Sequence, residues 1–207
     1  MQQPEFTTLS LTLADHIAEV RLNRPDKSNA INEAMWQEIR QAFAWIDATP
    51  EARVVILSGA GKNFCAGIDL AMLAGVQQRI AHADGARSRE ALRRLILDLQ
   101  DCLSSLERCA KPVIAAIQGA CVGGALDLVT CCDLRYASAD ATFSIKEIDI
   151  GMVADVGTLQ RLPRLIGEGQ ARELAYTGRT LNGQEAEKLG LANRLFATPA
   201  ELEAGVR

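Results

Sequence analysis

Residues 111–152, KPVIAAIQGACVGGALDLVTCCDLRYASADATFSIKEIDIGM, contain the clearest indication of the fold. Its first ten residues form an apolar run with proline at the start, which is typical of a buried strand. A helix is predicted from about Gly123, and the segments LRYAS and ATFSI indicate further strands. Strands and a helix in this order predict an α/β layered fold.

Outward from this stretch, the apolar pattern predicts more strands and helices. Alternation over Leu9–Leu13 and again from Ile17 indicates two adjacent strands, and RVVILSG resembles a buried strand. Apolar residues at helical spacing predict helices over about residues 32–48 and 87–108. GAGKNFCAGIDL is expected to be a loop, and the pattern is helical from Val156 onward.

Three carboxylates stand among residues that would normally be buried: Asp127, Glu147 and Asp155. Loss of solvation raises the pKa of a carboxyl from about 4 toward neutrality. Such groups exchange protons near pH 7, so a shared cleft would favour proton-transfer chemistry. Taken singly, each also has a structural interpretation: Asp127 as a first-turn acid, Glu147 beside solvated charges, and Asp155 as the N-cap of a helix that starts at Val156.

Two glycine-containing loops accompany these acids. In GKNFCAGIDL, the small residues Ala66 and Gly67 let the backbone approach a ligand, and the N–H groups of Ile68 and Asp69 can point outward. The alternative is an ordinary loop with Asp69 as a helix N-cap. In GACVGGALDLV, glycines precede a helix, so unpaired N–H groups can stabilise an oxygen that gains negative charge.

Composition restricts the class of protein. The 207 residues carry 22 basic and 26 acidic side chains, a net charge of −4 that argues against a broad nucleic-acid or anionic-membrane surface. Six cysteines without a CxxC pair and two histidines make a metal site improbable. No secretory signal or transmembrane segment is recognisable, so a cytoplasmic protein is predicted.

The blocks NRPDKSNAIN, GKNFCAGIDL, residues 111–152 and GTLQRLPRLIG resemble the crotonase (enoyl-CoA hydratase/isomerase) superfamily. The resemblance extends from about Thr8 to Phe196. Within the superfamily, the chain is most similar to the Δ3,5-Δ2,4-dienoyl-CoA isomerases. Those isomerases carry aspartate at the position of Asp155, within ADVGTLQRLP, where hydratases carry glycine.

The resemblance implies a crotonase-like spiral of repeated ββα units, a homotrimer or dimer of trimers, and an acyl-CoA substrate. It implies no cofactor, because the CoA is part of the substrate. It assigns catalytic roles to Asp127, Glu147 and Asp155, and an oxyanion hole to the N–H groups of Ile68 and Gly124. The substrate-binding residues that it implies are Ala66, Gly67, Ile68, Asp69, Leu70 and Gly124.

The implied reaction is isomerisation of a 3,5-dienoyl-CoA to the 2,4-dienoyl-CoA in unsaturated fatty-acid β-oxidation. Glu147 would serve C2, Asp155 would serve C6, and Asp127 would set the protonation of its neighbours. Two alternatives stay open: an enoyl-CoA hydratase in which Asp127 and Glu147 activate water, and a non-catalytic acyl-CoA-binding subunit.

Family members continue for some tens of residues in C-terminal helices. The expected organisation is therefore a crotonase-like core over residues 1–196 and the start of a truncated C-terminal helical region over residues 197–207. Pro199 and Glu201 are typical of the first turn of a helix there.

Overall fold

Two β-sheets organise the chain in the computed structural model, which describes residues 2–207. The larger sheet has the strand order β1-β2-β3-β4-β6-β9, and the smaller one has the order β5-β7-β8. The strands are β1 Leu9–Ala14, β2 Ile17–Leu22, β3 Val54–Gly59, β4 Val113–Ile117, β5 Ala120–Val122, β6 Leu134–Ser138, β7 Thr142–Ser144, β8 Leu181–Asn182 and β9 Arg194–Phe196.

The helices connect and cover these strands. They are α1 Glu33–Ala48, α2 Leu70–Ile80, α3 Gly85–Arg108, α4 Gly124–Thr130, α5 Thr158–Ile166, α6 Glu168–Thr177, α7 Gly183–Leu189 and α8 Pro199–Val206, with 3-10 turns at Pro25–Lys27 and Glu147–Ile150. The order strand–strand–helix recurs as β1–β2–α1, β4–β5–α4 and β6–β7–α5. This recurrence is the repeated ββα unit expected from the resemblance.

Strand direction follows from these units. β1 and β2 pair antiparallel as a hairpin, whereas β2 through β9 in the larger sheet pair parallel. The parallel strands β3 and β4 are almost entirely buried, which agrees with their continuous apolar sequences. The predicted α/β architecture is therefore confirmed.

Helix α1 shows how the pattern determines an element. Its buried side chains include Met35, Ile39, Phe43 and Ile46, which recur on one face. Asn32 caps the helix by accepting a hydrogen bond from the N–H of Met35 at 3.0 Å. The helix predicted over residues 32–48 is confirmed to within one residue.

The sequence pattern misses a break inside the segment 111–120. β4 ends at Ile117 and β5 begins at Ala120, so the predicted single strand contributes to both sheets. Gly119 makes the turn with φ of +55°, and a Cβ there would lie 2.4 Å from the carbonyl oxygen of Lys62. Only glycine is compatible with this turn.

Two predicted boundaries near the C-terminus also differ. The helical pattern begins at Thr158 rather than Val156, and it is interrupted by the short strands β8 and β9. Helix α8 begins at Pro199 as predicted, and Thr198 caps it by accepting from the N–H of Glu201. The division of the chain at residue 196 stays a prediction, and Met1 lies outside the described residues.

Among residues 2–207, none of the helices combines the length and the apolar character that crossing a bilayer requires.

Candidate active site

Most of the predicted site residues line one cavity of about 270 Å³. Its walls come from helices α2 and α3, from the two glycine-containing loops and from the segment between β7 and α5. The apolar lining residues include Leu73, Val76, Leu92, Leu95, Ile96 and Leu99. Glu147 and Asp155 both line this cavity, so two acidic residues border one largely apolar space.

Two main-chain N–H groups lie close together in the cavity wall, those of Ile68 and Gly124. A Cβ on Gly124 would lie 3.5 Å from the nitrogen of Ile68. Ile68 forms a parallel bridge with Ile31, so its own N–H points away from Ile31. Gly124 is the first residue of α4, where N–H groups lack intrahelical acceptors. Among residues 2–207, neither of these N–H groups donates to a backbone carbonyl in a turn, a loop or a helix cap.

The two loops that carry these N–H groups are in direct contact. Cys65 and Cys121 form a parallel bridge, and the N–H of Val122 donates to the carbonyl of Cys65 at 3.1 Å. Gly67 has φ of +89°, and a Cβ there would lie 2.5 Å from the carbonyl oxygen of Val122. The loops can approach each other only because residue 67 has no side chain.

The residues expected to contact substrate divide into two groups. Ala66, Gly67, Ile68, Leu70 and Gly124 line the cavity. The carboxylate of Asp69 instead pairs with Arg24 at 2.9 Å and accepts from the N–H of Ala71, so it is the N-cap of α2. The Arg24 guanidinium lowers the pKa of Asp69. Substrate contact by Asp69 stays a prediction.

Asp127 is completely buried in the first turn of α4. Its Oδ1 accepts a hydrogen bond from the N–H of Thr158, whereas its Oδ2 has no partner among the described residues. Burial above all, together with the nearby charges of Glu147 and Asp155, raises the pKa of Asp127 to about 7 against the lowering effect of the Thr158 hydrogen bond. Asp127 thus links α4 to the start of α5 through its hydrogen bond from Thr158.

Glu147 opens a 3-10 turn, Glu147–Ile150, that follows strand β7. Its Oε1 lies over Gly123, where a Cβ would be 3.2 Å away. Burial raises the pKa of Glu147, and the charge of Asp155 adds to this effect. The carboxyl of Glu147 therefore lies beside the helix start that carries the Gly124 N–H.

Asp155 is half-buried, and burial raises its pKa. The interpretation of Asp155 as a helix N-cap is wrong, because α5 begins at Thr158 and Gly157 occupies the N-cap without a side-chain hydrogen bond. Asp155 therefore has no capping function, and the residue lines the cavity together with Glu147.

The buried carboxyl of Asp127 should make stability depend on pH. Its pKa is about 7 in the folded chain against 3.8 ordinarily, so unfolding releases its proton between these values and the free energy of unfolding falls as pH rises. We expect Asp127→Asn to remove this loss. Between pH 4 and pH 8, the free energy of unfolding of the variant should therefore rise relative to that of the parent by up to about 4 kcal/mol. Urea unfolding at both pH values measures the difference.

The exposed Asp26→Asn is the control for this prediction, because Asp26 has no buried environment to lose. The prediction is contradicted if the stability of the parent does not decline between pH 4 and pH 8 relative to that of the Asp127→Asn variant.

Sequence reasoning missed the long walls of the cavity. Helix α2 is implied only by the alternative interpretation of Asp69 as a helix N-cap, and nothing in the pattern indicates that Leu73 and Val76 on it line the cavity. The helical spacing of Leu92, Leu95 and Leu99 was recognised on α3, but it was interpreted only as a helix. The apolar stripe of α3 could have indicated the cavity, because it continues N-terminal to the part of the helix that is buried. The buried residues of α3 are Leu99, Cys102, Leu103 and Leu106.

The ββα units, the paired N–H groups and the carboxyls in one cavity define a protein with the crotonase architecture. The chain belongs to the enoyl-CoA hydratase/isomerase family, whose family model matches residues 12–207.

Comparison with individual proteins shows which members of this family the chain resembles. The chain is 50% identical over 186 residues to the peroxisomal Delta(3,5)-Delta(2,4)-dienoyl-CoA isomerase of Arabidopsis thaliana, covering 89% of this chain and 67% of the relative. It is 46% identical over 193 residues to the mitochondrial Delta(3,5)-Delta(2,4)-dienoyl-CoA isomerase of Homo sapiens, covering 92% of this chain and 59% of the relative. The chain thus spans about six tenths to two thirds of the length of these relatives.

A solved structure supports the fold. The crystal structure of a putative enoyl-CoA hydratase from Thermobifida fusca in complex with acetoacetyl-CoA matches 96% of this chain and 77% of its own chain. The TM-score is 0.82 at 34% sequence identity.

Proposed function

We propose that this chain provides the active site of a dienoyl-CoA isomerase that converts 3,5-dienoyl-CoA to 2,4-dienoyl-CoA in unsaturated fatty-acid oxidation. The observation that carries the proposal is the cavity itself, which combines the carboxyls of Glu147 and Asp155 with the N–H groups of Ile68 and Gly124. The names of the Arabidopsis and human relatives give independent support.

The thioester end of the substrate binds at the paired N–H groups. Removal of a C2 proton from a 3,5-dienoyl thioester gives a dienolate, whose negative charge lies partly on the thioester oxygen. Two donors aimed at that oxygen stabilise the charge, and each contributes roughly 2.7–4 kcal/mol in comparable sites. The positive N-terminal end of α4 acts in the same direction.

The two carboxyls divide the proton transfers. Ionised Glu147 takes the proton from C2, and the electron pair shifts along the diene so that C6 becomes nucleophilic. Protonated Asp155 gives its proton to C6, which yields the 2,4-diene. One turnover leaves Glu147 protonated and Asp155 ionised, so a proton must return from one to the other through solvent or directly.

The raised pKa values suit these roles. A carboxyl whose pKa approaches the working pH is both an effective base when ionised and an effective acid when protonated. Burial raises the pKa of Glu147 and of Asp155. Asp127 lies outside the cavity lining, and the charges of Glu147 and Asp155 contribute to its raised pKa. The reaction needs no cofactor, because the CoA is part of the substrate.

An assay with two substrates tests the proposal. A 3,5-dienoyl-CoA should gain the absorbance of the conjugated 2,4-diene when the protein is added, whereas crotonyl-CoA should keep its enone absorbance. Hydration of crotonyl-CoA without any isomerisation would contradict the proposal and favour a hydratase. Binding of both thioesters without turnover would instead indicate a non-catalytic acyl-CoA-binding protein.

We also propose a homotrimer or a dimer of trimers. Ile148, Ile150 and Val153 next to the cavity are about half or more exposed, and a second copy of the chain would cover such apolar side chains. Sedimentation equilibrium measures the assembly. The cytoplasmic location stays a prediction, since the names of the relatives place those proteins in peroxisomes and mitochondria.

A further inference from the structure

The segment that carries Asp155 has little regular structure of its own. It lies between the 3-10 turn Glu147–Ile150 and helix α5, and the N–H of Met152 bonds back to the carbonyl of Glu147 at 2.9 Å. Across the described part of the chain, no backbone group pairs with the backbone of residues 153–156. The place of Asp155 therefore depends on contacts from other elements.

Helix α3 supplies those contacts from one polar face. Gln100 Nε2 donates to the carbonyl oxygen of Asp155 at 2.5 Å. Ser104 and Glu107 follow at intervals of four and three residues, which places all three side chains on the same face of the helix. This face is directed at the segment from Asp155 to the first turn of α5.

Arg161 is held by the same face. Its Nη2 donates to Ser104 Oγ at 3.0 Å and to Glu107 Oε2 at 2.7 Å, and its side chain is only 12% exposed. Gly157 leaves room for this guanidinium, because a Cβ at residue 157 would lie 1.7 Å from Nη1. α3 thus holds both ends of the short stretch 155–161.

Gln100 is separate from the reacting groups. Its neighbour Leu99 lines the cavity with Glu147 and Asp155, whereas Gln100 lines a different, more polar surface pocket with Ser104, Glu107 and Arg161. It therefore acts from behind Asp155 without touching substrate.

We propose that Gln100 is a positioning residue that fixes the carboxyl of Asp155 relative to Glu147 across the cavity, with Arg161 restraining the far end of the same segment. The proposal rests on the proposed function, because it assigns to Asp155 the proton transfer at C6. Proton transfer between positioned groups is sensitive to small displacements, and a shift of about 1 Å can cost about 10²-fold in rate.

The substitution Gln100→Met tests this role, since methionine keeps the length of the side chain and removes both N–H donors. We expect kcat for a 3,5-dienoyl-CoA to fall about 10- to 100-fold while KM changes less than about 2-fold. In D2O, return of the dienolate to substrate should become more frequent, so deuterium at C2 of the recovered substrate should rise relative to product formed. A general loss of structure would not raise that ratio.

Gln160→Met is the matched control. Gln160 is an exposed glutamine on α5 that lines the same polar pocket. Its replacement by methionine should leave kcat and the exchange ratio unchanged. Parental kcat in Gln100→Met overturns the positioning role, and so does a reduced kcat with an unchanged or lower exchange ratio. If the parent itself does not isomerise the dienoyl-CoA, the proposed function fails first, and that result is visible before any variant is compared.

Discussion

Replacing Glu147 with glutamine should reduce the turnover of a 3,5-dienoyl-CoA by about 10³-fold or more, the upper range for the loss of a general base. Glutamine has the same shape but cannot accept the C2 proton. Because this step precedes all others, exchange of the C2 proton with D2O should disappear together with product formation. Absorbance at the diene band and deuterium content of recovered substrate measure the two losses.

The fold should survive this change. Glu147 Oε2 is buried without a partner among residues 2–207, so removing the charge removes an unfavourable burial rather than a stabilising contact. Glu168→Gln on the exposed ion pair with Arg172 is the control, and it should keep full activity. Retention of C2 exchange in Glu147→Gln would show that another group is the base.

The pH profile provides a second check on Glu147. The base acts only when ionised, so kcat/KM should rise with pH through its pKa, which burial places above the ordinary value. Asp155 acts only when protonated, so the rate should decline again above its own raised pKa. The three interacting carboxyls titrate as a group, so the two limbs report apparent values of the cluster.

The local sequence pattern predicts a helix when one face of that helix packs against the core. The stripe of Met35, Ile39 and Phe43 gives α1 because those residues meet the core. Helix α2 has no such stripe: none of its residues is fully buried, and its apolar side chains face the cavity instead. Its signal therefore does not differ from that of an apolar loop.

The break between β4 and β5 was unpredictable for a different reason. Gly119 must be glycine because the carbonyl of Lys62 lies where its side chain would be, and that contact joins residues far apart in sequence. Periodicity reports local burial, so it cannot reveal a turn that a distant loop imposes.

The candidate site shows the same limit. The apolar neighbours of Asp127 predict that burial raises its pKa, and the carboxyl is indeed buried. They do not show that this carboxyl accepts a hydrogen bond from the N–H of Thr158 in the next helix. The convergence of Glu147 and Asp155 on one cavity also arises only through folding. The family resemblance implies that pairing, whereas residue spacing alone does not.

Replacing Asp155 with asparagine should separate the two proton transfers. Asparagine fills the same space and can keep the backbone contact with Gln100, but it cannot deliver a proton to C6. We expect isomerisation to fall by about 10²- to 10⁴-fold. The C2 proton should still exchange with D2O, because Glu147 and the N–H groups of Ile68 and Gly124 are unchanged.

This separation distinguishes a true acid from a residue that merely shapes the cavity. A structural defect would reduce C2 exchange and isomerisation together, whereas loss of the acid alone leaves the dienolate to return to substrate. Asp149→Asn is the matched control, since Asp149 is an exposed aspartate in the adjacent 3-10 turn that pairs with Lys146. Equal loss of both activities, or full isomerisation by Asp155→Asn, would exclude the assigned role, because the C6 proton would then have to come from a different donor.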